Sequence, residues 1–78
     1  MPINRREVIN ALHTISSNAS TREGPEGSRE HAEAYSLCMR EAHRKISDPA
    51  LRLDIVVMVG QVAEDAGLGE EEIFVYWS

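Results

Sequence analysis

Residues 48–68 read "DPALRLDIVVMVGQVAEDAGL", and whether they form a helix or a strand decides the fold class. Taken alone, the apolar run "DIVVMV" at 54–59 would suit a buried strand. The flanks argue otherwise. Ser47 or Asp48 can serve as N-cap, and Asp48 is the stronger signal because Pro49 at the first helical position lacks an amide that would in any case be unpaired there. Leu51, Ile55, Met58, Val59, Val62 and Ala66 then trace one face at steps of three and four. Gly67 followed by Leu68 fits a left-handed C-terminal cap with its hydrophobic contact. The segment is therefore read as a helix. Val56 and Val57 make it apolar nearly all round, which predicts the central, most buried element. Gly60 weakens a helix interior relative to alanine, so a close approach by another helix is expected there.

Working outward, residues 28–46 carry Tyr35, Cys38, Ala42 and Ile46 at helical steps, with Leu37 and Met39 widening the stripe. Cys38 is expected to be buried, and His31 and His43 to lie at surface or boundary positions. The break before Asp48 is short, so this helix and the next form a hairpin or a steep bend. Near the N-terminus, Asn4 and Glu7 have capping-box spacing, and Ile3 and Val8 fall at the positions of a hydrophobic staple. Val8, Leu12 and Ile15, with Ile9 beside them, predict a first helix ending near Ser16 or Ser17. Arg5, Arg6 and His13 would face away from that stripe. The intervening "SNASTREGPEGS" predicts a flexible loop at about 17–27. At the C-terminus, "GEEEIFVYWS" opens on three glutamates that suit the positive end of a helix. Its β-branched and aromatic residues also suit a strand. A short helix is favoured, with a terminal strand as the alternative. The expectation is one all-α domain over residues 1–78, of three main helices and a short C-terminal one.

Seventy-eight residues lie near the lower limit for a domain that folds unaided, and leave little room for a deep pocket without a second chain. A homo-oligomer is thus plausible. The net charge of −5 is uneven. Residues 1–49 hold seven Lys or Arg against seven Asp or Glu; residues 50–78 hold only Arg52 against six acids. That asymmetry favours a basic protein surface as partner over a phosphate backbone. Cys38 is the single cysteine, which excludes an internal disulfide framework and suits a reducing compartment. No signal-like or membrane-spanning stretch is evident, so a cytoplasmic location is expected. The sequon at Asn18 is read as chance.

Counted from Val59, the residues Val62, Ala63, Ala66, Gly67, Leu68, Ile73 and Tyr76 keep apolar or small side chains where two crossing helices need them. "VAEDAGLGEEEIFVYW" at 62–77 resembles the helix-turn-helix unit of bacterial transcriptional regulators, including the tetracycline-repressor type. The resemblance spans residues 59–78, about a quarter of the chain. It implies a second helix lying in the DNA major groove; the matching hypothesis is a dimeric regulator to which Arg5 and Arg6 would supply the phosphate contacts. At the groove-facing places this sequence holds Gly69, Glu70, Glu71 and Glu72. Binding to DNA depends on basic side chains that displace counterions, and adjacent carboxylates oppose it. DNA is accordingly not the expected partner.

Other chemistry is thin. His31, Cys38 and His43 do not share one face, and a tetrahedral zinc site needs four converging ligands, so no metal or cofactor is expected. No activated nucleophile or phosphate loop is evident, and no catalysis is expected. Arg22, Ser28 and Arg29 flank the loop at a helix start, a possible grip for a small anion such as a nucleotide. Arg40, Arg44 and Lys45 read as a solvated face, with Glu41 and Lys45 paired. The principal expectation is a non-enzymatic protein-binding module, an inhibitor, adaptor or antagonist of the accessory or phage-borne kind. It would dock on a basic protein surface through Glu70, Glu71, Glu72, Phe74 and Trp77. A dimeric DNA-binding regulator and an anion-sequestering protein are the alternatives.

Overall fold

The computed structural model describes residues 4–77. Four helices follow one another: α1 (Arg5–Ser20), α2 (Arg29–Lys45), α3 (Pro49–Asp65) and the single turn α4 (Glu70–Ile73). The first three pack on one another and α4 lies across α2 and α3. No strand occurs among the described residues, so the terminal-strand alternative falls.

Local chemistry sets the helix ends. Ser28 accepts the His31 amide at 3.1 Å, and Asp48 accepts the Ala50 amide at 3.0 Å ahead of Pro49. Asn4 accepts the Arg6 amide at 2.8 Å, one residue short of the bond expected with Glu7. Ile3, the other half of the expected staple, lies outside the described residues. At the end of α3, Gly67 adopts φ +74°. The Leu68 amide reaches back to the Ala63 carbonyl at 2.9 Å, and that of Gly67 to Glu64 at 3.0 Å. These two bonds make a Schellman cap that turns the chain into α4.

The core joins Ala32, Tyr35 and Met39 of α2 to Ile55, Val59 and Ala63 of α3, closed by Leu68 and Ile73. Ile9 and Leu12 of α1 pack against it half-buried. Several expectations are corrected here. α3 is not buried all round: Leu51, Ile55, Val59 and Ala63 are buried, Met58, Val62 and Ala66 pack on the core half-buried, and Leu53 and Val57 are exposed. Among the described residues, no atom outside α3's own adjoining turns comes within 4 Å of the place a Cβ would take at Gly60, so no other described helix approaches closely there. Cys38 is half-buried rather than buried.

α1 differs most. It runs to Ser20, four residues past Ser16, so the connection to α2 is 21–28 rather than 17–27. Its contact face runs through Ile9, Leu12, Ser16, Ser17 and Ser20, while Ile15 points outward. Ser20 donates to the Ser16 carbonyl at 2.7 Å. Bonded within its own helix, a serine hydroxyl can enter an interface without stranding a polar group. His31 is buried rather than superficial, with Nε2 3.3 Å from the Ser17 carbonyl. His13 faces inward too, its Nδ1 2.7 Å from the Tyr35 hydroxyl.

Candidate functional site

Gly69 precedes α4 as its N-cap, and its amide donates to Glu72 Oε1 at 3.2 Å. Three consecutive glutamates follow, and Glu70, Glu71 and Glu72 are all exposed. Glu72 also accepts from Arg29 of α2 at 3.2 Å. The Gly69 amide first, and the Arg29 side chain second, hold the Glu72 carboxyl below its ordinary range. Ile73 is buried, and the chain then turns through Phe74 to Trp77.

The aromatics divide into two roles that the sequence did not separate. Phe74 and Trp77 are half-buried, packed on the core and edge to face on each other at 5.0 Å between centroids. The Trp77 indole donates to the Ser36 hydroxyl at 2.9 Å, and its ring lies 5.2 Å from that of His43. Val75 and Tyr76 instead project outward, 57% and 69% exposed. They form the apolar tip of the acidic surface, and Phe74 and Trp77 form its footing.

α2 supplies a part of this surface that sequence reading missed. A small concavity of about 60 Å³ lies between α2 and the C-terminal segment, lined by Glu33, Leu37, Glu72 and Tyr76. Glu33 and Leu37 also border a shallower hollow of about 520 Å³ with Glu23, Glu30 and Cys38. The two hollows thus join into one acidic face with an apolar floor. Glu30, Glu33 and Leu37 stand at steps of three and four, which was the available signal.

The remaining sequence candidates lie elsewhere. Ser28 Oγ is occupied by its cap bond, and Arg29 by Glu72. Arg22 is exposed in the connection between α1 and α2. Glu41 pairs with Arg44 at 3.8 Å, not with Lys45. Arg5 pairs with Asp54 of α3 at 2.9 Å. Arg52 donates from Nη1 to the carbonyls of His43 at 2.6 Å and Ile46 at 2.8 Å, capping the end of α2. Burial first, and the Arg52 charge second, lower the pKa of His43.

One polar cluster invites a catalytic reading. Ser17 Oγ lies 3.1 Å from Glu26 Oε1 and 3.5 Å from His31 Nε2. The serine donates to the glutamate, so its proton is not offered to the imidazole. His31 Nε2 points at the Ser17 carbonyl and must carry the proton to bond it. With both residues buried, this geometry joins α1 to α2 and activates no nucleophile. Among the described residues, no group of three or more His, Cys, Asp or Glu converges as metal ligands would. Nor is any described helix long and apolar enough to cross a membrane.

The fold is that of a small all-α bundle. Comparison with protein-family models, curated proteins and solved structures finds no match to this chain. The corner on which the helix-turn-helix resemblance rests has α3 before it, Gly67 at its bend and only the four-residue α4 after it.

Proposed function

We propose that this chain is a non-enzymatic protein-binding module that docks on a basic protein surface through the face shared by α4, the segment after it and α2. The observation that carries the reading is the pairing of Glu70, Glu71 and Glu72 with the outward Val75 and Tyr76. Glu30, Glu33 and Leu37 extend the same combination along α2. Carboxylates steer a basic partner toward the surface, and apolar side chains at its centre supply holding energy. The apolar hollows bordered by Glu33 and Leu37 on this face suit a basic amphipathic helix.

The chain, immobilised through its N-terminus and exposed to lysate of its source cells, should retain proteins of basic surface. Retention should weaken with salt. It should also fall about tenfold or more on Val75→Ser with Tyr76→Ser. Equal capture by wild type and double variant would reject the docking face. The regulator alternative predicts retardation of duplex DNA at low salt, and the acidic turn disfavours that outcome.

A further inference from the structure

The outer side of α3 is apolar where a solvent-facing helix surface is ordinarily polar. Ala50, Leu53, Val57, Gly60 and Glu64 recur there at alternating steps of three and four, opposite the buried stripe. Such steps form the seam of a helix that packs on another helix. Leu53 and Val57 are 63% and 48% exposed. At Gly60 there is open space where a side chain would stand, so none of the described residues uses the gap in the seam.

Two shallow hollows flank this seam and share Val57 and Gln61. The first, of about 260 Å³, is bordered by Arg5, Arg6 and Ile9. The second, of about 550 Å³, is bordered by Gly60, Glu64 and Glu70. Asp54 lies in the first hollow too and pairs with Arg5 at 2.9 Å, so the face carries Arg6 at one end, is apolar in the middle and is acidic at the other.

We propose that this face pairs with the same face of a second copy, the two α3 helices crossing antiparallel about a two-fold axis near Val57. A two-fold contact requires a patch complementary to itself, and this charge order meets that requirement. Arg6 of each copy comes opposite Glu64 of the other, and Val57 meets Val57. Leu53 falls opposite Gly60, where the missing Cβ leaves room for it. Parallel pairing would set acid against acid. A uniformly basic partner would match one end and leave Arg6 facing like charge. The inference rests on α3 and α1, and its acidic hollow reaches Glu70, which the surface proposed above for docking also uses.

Sedimentation velocity of the full chain from about 1 μM to about 1 mM should show a monomer–dimer equilibrium. Gly60→Gln points into open space, so circular dichroism should stay helical while dimerisation weakens about tenfold or more. Arg6→Glu and Glu64→Arg should each weaken it, and the two changes combined should restore it. A monomer throughout that range overturns the proposal. A dimer indifferent to Gly60→Gln, or one not restored by the double exchange, overturns it as well.

Discussion

Trp77 donates its indole N–H to the Ser36 hydroxyl at 2.9 Å, and that hydroxyl donates onward to the Ile73 carbonyl at 3.0 Å. One buried serine on α2 thus holds the C-terminal segment at two points. Ser36→Ala would strand a donor and an acceptor together, at a cost of about 1–3 kcal/mol. Trp77 is the sole tryptophan, so its emission reports this segment directly. The variant should emit further to the red before unfolding and should unfold at lower urea. An unchanged emission maximum and midpoint would refute this role of the serine.

The split between footing and tip predicts two separable phenotypes. Val75→Ser and Tyr76→Ser alter exposed side chains, and each should change stability by no more than about 0.5 kcal/mol. Phe74→Ala and Trp77→Ala remove half-buried rings packed on the core, and each should cost about 2–3 kcal/mol. Urea titrations of the four variants would check the ranking. A destabilising Tyr76→Ser would mean that the tip is structural, and loss of capture on its removal would then say nothing about docking.

Arg52 is the only basic residue after position 49, and its contacts turn it inward to the end of α2. Replacing it with methionine keeps much of the aliphatic stem but leaves the His43 and Ile46 carbonyls without their charged donor. The expected loss is about 2 kcal/mol. Lysine should recover part of it, since an ammonium lacks the planar fork of guanidinium. Thermal unfolding of the two variants gives the test: full stability in the methionine variant would show that solvent replaces the cap without cost.

What the sequence made legible was what local chemistry governs. Asp48 with Pro49, and Gly67 with Leu68, each satisfy amides or carbonyls within a few residues, and both caps form as read. The end of α1 was hidden because "SSNAS" resembles a turn by propensity. Its serines remain helical because they face α2, and Ser20 bonds within its own helix; tertiary burial overrides propensity here. Gly60 misled for a related reason. A glycine marks room for a close neighbour, without saying whether that neighbour belongs to the same chain. The acidic surface was half visible. Glu70, Glu71 and Glu72 are adjacent in sequence, whereas the contribution of Glu33 and Leu37 depends on α4 lying across α2. Assigning the aromatics to tip or footing required the Ser36 bond, which spans 41 residues.

Acidification should destabilise the chain in two windows. His43 has its pKa lowered by burial and by Arg52 from the ordinary 6.5. Its contribution is therefore present above pH 6.5 and is lost as the pH falls through the lowered value. Glu72, lowered from 4.5 by the Gly69 amide and Arg29, adds a second loss further down. His43→Gln should flatten the first window alone. Melting temperatures of both proteins at closely spaced pH values would decide it, and parallel curves would remove His43 from the account.

At the alkaline end, the relevant group is Tyr35. Its side chain is fully buried, and burial pushes the phenol up from 10.0 to about 12. The hydroxyl therefore remains protonated across the neutral range and lies within hydrogen-bond distance of His13 Nδ1, at 2.7 Å. A raised folded pKa stabilises the fold fully below the unfolded value and is lost as pH rises through the folded one. Between pH 10 and about 12, the folded state should lose roughly 3 kcal/mol. Tyr35→Phe removes this alkaline loss, while the lost hydrogen bond costs about 1 kcal/mol at pH 7. Stability curves of the two proteins should therefore converge as the pH is raised and then cross. Phenolate absorbance gives an independent check, since the buried tyrosine should ionise only near pH 12 or with unfolding. Curves that stay parallel up to that pH would show that solvent reaches the hydroxyl and that Tyr35 does not close the core.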